Sequence, residues 1–434
     1  MKHIIKFIFI ALAVALYSGC TPQEDDLFGE SAANRMTTEL KADMAVLCAP
    51  KNGWIMEYYP SATQQYGGSN VWVSFSNDGS VKAMSEIYGA STVETSLFSL
   101  KQSAGPELTF DTYNRVVHYF SDPKNPAGIG ANGKGMEGDF EFTILKAKAD
   151  TVILKGKKSG SRILMIALPD TKTGADYIAS VLAVSKIMTA SNYNYVVNGK
   201  TIPVTASYRN LSFTYVKDGS TVTVSVPYVL TPTGYKFYTP LTIDGVTVSE
   251  LKYQVVGAEE SFVPVDGAAA KLIVVFPPLN QQLISGKWYF SYKGLGTKGI
   301  SDWNYVKTNG FDAIGEELYY AYLGKFSGGQ YGFCFGSTDG AGVYTGVLTY
   351  TNVLIGEDQV KLSFALAGAG DGIWYYNNAK FSTLISPVGA SAGRTFTLSA
   401  DDTKRPTWIK LTDNANPNNT MVLYKNQVYW PYDN

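Results

Sequence analysis

The spacing of apolar residues divides the chain into two helical stretches and a long series of extended ones. Over residues 31–48, Met36, Leu40, Met44 and Leu47 recur every three or four positions and form one apolar stripe, which predicts an amphipathic helix. Ser31 is the expected N-cap, and Ala49-Pro50 followed by Asn52-Gly53 stops the element. A second stripe, Tyr177, Val181, Val184 and Met188, predicts a helix over 175–190. Most of the remainder alternates with a period of two. Val71, Val73 and Phe75 share one face before the turn Asn77-Asp78-Gly79, and Phe140, Phe142 and Ile144 alternate with Asp139, Glu141 and Thr143. Segments 151–154 and 162–168 flank another turn. Segments 211–216 and 221–226 make the clearest hairpin, because Asp218-Gly219 accepts the positive φ angles of a tight turn and thereby fixes the register. A further hairpin centres on Asp244-Gly245.

This pattern predicts a mainly β fold: antiparallel meanders forming barrels or sandwiches, with two helices in the N-terminal part. At 434 residues the chain exceeds what one core supports. Pro277-Pro278 interrupts strand pairing, which divides the chain into a β-rich domain over 31–280 and a second β domain over 281–434. The second shows no long helical stripe, only β-prone segments such as 346–354 and 360–365 between glycine-rich turns. Trp54 after Gly53 and Trp288 after Gly286-Lys287 each open a strand series. Two related β units are expected, and the Gly-x-Trp opening resembles lipocalin-like barrels.

The first thirty residues carry an address. Lys2 and Lys6 precede an apolar run, and Tyr17-Ser18-Gly19 places small residues before Cys20. The arrangement resembles a bacterial lipoprotein signal, with residues 1–19 removed and Cys20 lipidated. Tyr17 departs from the aliphatic residue usual at that position. The run is shorter than the roughly 20 residues a membrane-spanning helix needs. Residues 20–30 then read as a polar, acidic tether, and Glu24-Asp25-Asp26 resembles a surface-export signal. Loss of Lys2 and Lys6 takes the formal charge from -1 to -3, so no basic face for nucleic acid is expected. Cys48 and Cys334 remain, and the sequence leaves open whether they pair.

Catalytic groups are scarce. Beyond His3 the only histidine is His118, which the pattern Val116, His118, Phe120 places on a strand face. Neither zinc-binding spacing nor a calcium loop occurs. Glu57, Asp139 and Glu141 are the acids placed on strands where a carboxylate pair of a glycosidase would need them, although a solvated strand face explains them as well. No catalytic residue, metal or cofactor is expected. Aromatic residues are abundant: 30 Tyr, 21 Phe and 7 Trp. They bunch at Trp288-Tyr289-Phe290, Tyr319-Tyr320-Ala321-Tyr322, Trp374-Tyr375-Tyr376 and Tyr429-Trp430-Pro431-Tyr432. In an adjacent pair such as Tyr319-Tyr320 one ring should point inward and the other outward. Outward rings stack on sugars or partners, whereas inward ones fill cores. Trp288, Trp374, Tyr376 and Trp430 are the candidate ligand contacts.

Several segments together resemble the Bacteroidetes lipoprotein family catalogued as domain of unknown function 4302. They are Asp26-Leu27-Phe28, Asn52-Gly53-Trp54-Ile55-Met56-Glu57, Leu108-Thr109-Phe110-Asp111, His118-Tyr119-Phe120-Ser121-Asp122-Pro123, Gly138-Asp139-Phe140 and Phe237-Tyr238-Thr239-Pro240-Leu241. The resemblance spans roughly 20–280. It implies an accessory role at the outer membrane beside SusC/SusD-type uptake proteins, and it brings no catalytic residues. The expectation is a non-catalytic, lipid-anchored surface protein that assists capture of a glycan or another nutrient. The alternatives are a structural or assembly partner of an outer-membrane complex and a carboxylate-based glycan hydrolase.

Overall fold

The period-two alternation closes into barrels. The computed structural model describes residues 30–434; the signal segment, Cys20 and the tether up to residue 29 lie outside the described residues. The chain divides into two units between Val275 and Phe276. Among the described residues, the first unit opens with helix α1 (Ala32–Cys48), where the Ser31 side chain accepts the Asn34 N–H at 3.2 Å. The Trp54 indole N–H donates to the Leu47 carbonyl at 2.8 Å and ties the helix end to the first strand.

The first barrel comprises β1 (Trp54–Tyr58), β2 (Ser69–Phe75), β3 (Ser80–Ser85), β4 (Glu94–Gln102), β5 (Pro106–Phe110), β6 (Glu141–Ala147), β7 (Thr151–Gly156) and β8 (Arg162–Ala167), with helix α2 (Arg115–His118) between β5 and β6. Helix α3 (Gly174–Ile187) follows; Thr173 and Asp176 form a reciprocal capping box at its start. The second barrel comprises β9 (Asn192–Val197), β10 (Lys200–Ser207), β11 (Asn210–Lys217), β12 (Ser220–Leu230), β13 (Gly234–Ile243), β14 (Val246–Val256), β15 (Glu259–Pro264) and β16 (Ala270–Val275). Within each barrel every strand pairs antiparallel with its neighbours in sequence, and each barrel closes first strand on last, β1 on β8 and β9 on β16.

The second unit opens with α4 (Leu279–Ser285) and β17 (Lys287–Leu295). Helix α5 (Thr297–Val306), a π turn (Lys307–Phe311) and α6 (Asp312–Ile314) follow as one helical stretch. The barrel continues through β18 (Glu317–Lys325), β19 (Tyr331–Thr338), β20 (Val343–Ile355) and β21 (Gln359–Gly370). After α7 (Gly372–Asn378) and α8 (Phe381–Leu384) come β22 (Arg394–Ala400), β23 (Trp408–Asp413) and β24 (Asn416–Tyr424). β17 closes on β24.

The mainly β, antiparallel-barrel expectation holds, and so does each hairpin read from Asp-Gly. Three features differ from the sequence reading. The stretch 31–280 holds two barrels, giving three β units in place of two. Pro169 and the short polar stretch 170–173 before α3 mark their junction, and the two barrels are joined through buried carboxylates, Glu57 with Lys236 at 2.6 Å and Glu86 with Arg209 at 3.1 Å. The helical stretch after β17 was invisible because Gly299 and Gly310 weaken its propensity and the π turn breaks its period. His118 lies on the helical turn α2, since Asn114 caps the Val116 and Val117 N–H groups where two β-branched residues suggested a strand.

Eight strands enclose room for little beyond side chains. Each interior is packed, with Met56, Val71 and Phe142 in the first barrel, Tyr193, Phe213 and Phe262 in the second, and Phe290, Phe333 and Leu411 in the third. Among the described residues, no helix is long and apolar enough to cross a membrane.

Candidate functional site

In the third barrel, strand alternation aims Trp288, Phe290, Leu318, Ala321 and Leu323 into the core. Trp288 is 3% exposed and donates its indole N–H to the Gln282 carbonyl at 3.1 Å. That corrects its reading as a ligand contact, because an inward position on β17 leaves it no free face. Tyr376 stands on α7, half-buried, with its ring 4.9 Å from Phe364 and packed against the core. Trp374, on the same helix, is half-exposed. Trp430 is also partly exposed, 38%, and lies at one end of a run of aromatic rings.

A bulge builds that run. The β18–β19 register shifts between Leu318 and Tyr320, where β18 carries one extra residue. Neither Tyr319 nor Tyr320 belongs to the barrel core, so the expected one-in, one-out division of this pair fails. Their rings are 5.8 Å apart. Tyr320 continues to Tyr322 at 6.2 Å, nearly parallel, and Tyr322 to Tyr289 on β17 at 5.2 Å. Tyr320 lies flat over Gly336 of β19, where an added Cβ would come within 2.6 Å of the ring. Lys287 places its ammonium 5.1 Å from the Tyr322 ring centroid. Beneath the tyrosines sits Cys334, buried and free, as Cys48 is free in the first unit. Burial pushes the Cys334 thiol up to about 11, so it is an inert packing group.

The segment after β24 completes the surface. Its backbone returns across β17 and β18: Trp430 N–H donates to the Tyr319 carbonyl at 2.9 Å, and Tyr292 N–H to the Pro431 carbonyl at 2.8 Å. The Tyr432 hydroxyl donates to the Trp303 carbonyl at 2.8 Å and anchors the segment on α5. Tyr429 and Trp430 then stand 5.0 and 5.1 Å from Tyr319. Trp430 adopts φ 51°, a left-handed backbone that bulky residues rarely occupy, so the fold spends energy to hold this indole in place.

Two concavities meet at Trp430. One, of about 500 Å³, is an open groove bordered by Ser291, Gln427, Tyr429 and Asn434. The other, of about 140 Å³, lies between Trp430 and Tyr432 and is rimmed by Lys307, Asp312, Glu317 and Asp433, with Glu316 at its wall. The Glu316 carboxylate accepts the Ser337 hydroxyl at 2.5 Å and the Tyr375 hydroxyl as well. Burial first, then that bond to Glu316, holds the Tyr375 phenol well above its ordinary range. Rings beside hydroxyl, amide and carboxylate groups are the equipment of a surface that binds polar molecules with apolar faces.

The acids singled out in the sequence are engaged elsewhere. Glu57 is buried against Lys236; burial raises its carboxyl and the lysine partly offsets this. Asp139 accepts the Lys158 and Ser159 backbone N–H groups, and Glu141 pairs with Lys157 at 3.0 Å. Asp312, Glu316 and Glu317 went unremarked in the sequence, because they fall where a concealed helix meets a strand.

No curated protein matches the chain. Among solved structures, a β sliding clamp of Caulobacter crescentus crystallised with polyethylene glycol shares 10% identity over 91% of this chain and 97% of that one, with a TM-score of 0.14. The DNA polymerase III β subunit of Thermotoga maritima gives 9% identity, 91% and 98% coverage and a TM-score of 0.10. Likeness at this level carries no argument. A family match, in contrast, runs over residues 24–255, through the first barrel and most of the second, and stops short of the aromatic surface on the third. That match covers more than half of the sequence, so the chain belongs to the family described as Domain of unknown function (DUF4302).

Proposed function

We propose that this protein is a non-catalytic surface lipoprotein of the Bacteroidetes type, held at the outer membrane through Cys20, which assists capture of a glycan beside SusC/SusD-type uptake proteins. The observation that carries the reading is the run of rings outside the barrel core, Tyr322, Tyr320, Tyr319, Tyr429 and Trp430, with buried Tyr289 supporting its inner end. Pyranose faces are apolar and their edges are hydroxyl-rich, which suits rings bordered by Ser291, Gln427 and Asn434. Filled barrels support a role on the outside of the fold and not as a carrier with an enclosed ligand.

Glycan-array screening followed by titration tests it. Tyr429→Ala and Trp430→Ala should each weaken the best glycan by about tenfold, the size expected for removing one aromatic contact. Absence of binding to any glycan, together with normal nutrient uptake after gene deletion, would sink the proposal.

A second reading, an assembly partner of an outer-membrane complex, is favoured by a different patch. The last part of β21, residues 365–370, is exposed and continues to exposed Ile373 and Trp374 on α7. Co-purification with a transporter that is lost in Trp374→Ala while glycan binding persists would favour that reading.

A further inference from the structure

We infer that the small pocket at Trp430 takes the ammonium group of an amino sugar, which would make the captured glycan one with free amines. The inference rests on the glycan-binding reading and narrows it. The larger groove offers neutral hydroxyl and amide partners, whereas the smaller pocket is charged and lopsidedly so. Asp312, Glu317 and Asp433 border it beside a single cation, Lys307, while Glu316 at its wall is engaged by Ser337 and Tyr375. Lys307 is itself engaged with an aromatic face, its ammonium 5.2 Å from the Tyr432 ring centroid.

Three physical features favour an organic cation. Among the described residues no group of three acids, histidines or cysteines is placed to hold a metal ion, so these carboxylates border a space and do not converge on a point. The space, about 140 Å³, exceeds a bare ion and is of the order of a single small polar group with its carbon neighbours. Its apolar walls are Phe311, Trp430 and Tyr432, and an indole is the strongest neutral partner for an ammonium. An anionic or N-acetylated sugar would bring either repulsion or an uncharged amide to the same carboxylates. A free amine brings the complementary charge with its sugar ring adjacent to the tyrosine run.

The test compares three soluble probes of equal length: oligomers of β-1,4-glucosamine, their fully N-acetylated forms, and β-1,4-glucose oligomers. Tryptophan fluorescence or calorimetric titration of the full chain near pH 6 keeps the amines protonated. The free-amine oligomer should bind about tenfold more tightly than either neutral probe, as expected from one or two partly exposed ion pairs plus a cation–ring contact. Its affinity should fall as salt rises, while that of the neutral probes should not. Asp312→Asn with Glu317→Gln should erase the preference of the free-amine oligomer over the neutral probes, and an unchanged circular dichroism spectrum and urea midpoint show that the variant folds. Equal binding of all three probes overturns the amine assignment and leaves the aromatic surface standing. Binding of none, when an array also finds no other glycan, overturns both. Tight binding of a lysine-rich peptide with no binding of the free-amine oligomer overturns the sugar assignment in favour of a protein ligand.

Discussion

Replacing Arg209 with Met should unfasten the two barrels of the first unit from each other. Arg209 Nη1 and Nη2 each lie 3.1 Å from an oxygen of Glu86, and Nη1 also donates to the Gly68 carbonyl at 2.8 Å. The Glu86 side chain is 1% exposed and also accepts the Asn70 backbone N–H at 2.6 Å. Removing one partner of such a pair strands a buried charge, at a cost of about 3–5 kcal/mol. The Asn70 donors remain and offset about 1 kcal/mol. Met retains the apolar stem, and because Arg209 already sits at φ 50°, the backbone penalty is the same before and after. The net loss is therefore about 2–4 kcal/mol. Adding Glu86→Gln removes the stranded charge, so the double variant should recover at least about 1 kcal/mol relative to Arg209→Met alone. Urea unfolding followed by tryptophan fluorescence measures both. A loss below about 1 kcal/mol for Arg209→Met, or strictly additive effects in the double variant, would refute the claim that this pair holds the junction.

Other expectations follow from the same geometry. Gly336→Val inserts a side chain where Tyr320 lies; because the ring can swing outward and valine suits a strand, stability should change by less than about 1 kcal/mol, while glycan affinity should drop severalfold in titration. Tyr432→Phe removes the hydroxyl that donates to Trp303; a loss of about 1 kcal/mol in thermal unfolding is expected, with increased proteolysis after β24. Asp43 on α1 carries a carboxyl that burial, with Glu39 one turn away, pushes up to about 6. A folded value above the unfolded one means that the folded chain binds this proton more tightly, so stability declines as pH rises from the ordinary carboxylate range through about 6. Asp43→Asn should consequently raise stability near pH 7 by about 1 kcal/mol, a figure reduced for solvent screening, and change little near pH 4. A gain equal at both pH values would show that charge is not the cause.

The elements that the sequence disclosed are those whose signal is local. Asp218-Gly219 and Asp244-Gly245 set their turns by backbone preference alone, and the stripe Met36, Leu40, Met44, Leu47 marks a helix whatever it packs against. What stayed hidden depends on residues distant in the chain. The division of 31–280 into two barrels is defined by which strand closes on which, and the junction carries buried charges that look, in sequence, like surface ones. The aromatic surface was half legible. Its clusters are visible as Tyr319-Tyr320-Ala321-Tyr322 and Tyr429-Trp430, but their union is not, because β17, β18 and the last ten residues come together only when the barrel closes. Trp288 misled for the converse reason: a strand alternates strictly except where it bulges, and β17 directs that indole inward while β18 bulges at its neighbour.

That bulge bears on how the three barrels divide their work. A regular strand would spend every second aromatic of 319–322 on the core, leaving at most two rings outside. One extra residue puts Tyr319, Tyr320 and Tyr322 all outside, next to Tyr429 and Trp430, without enlarging the filled interior. The first two barrels, which carry the family match, bind each other through buried ion pairs and fill their cores in the ordinary way. Deleting Tyr319, so that β18 regains strict alternation, should thus abolish glycan binding while the third barrel still closes. Circular dichroism with retained cooperative unfolding would show the closure, and titration the loss. If the deletion leaves binding intact, the rings outside the barrel are packing residues and the surface has no part in capture.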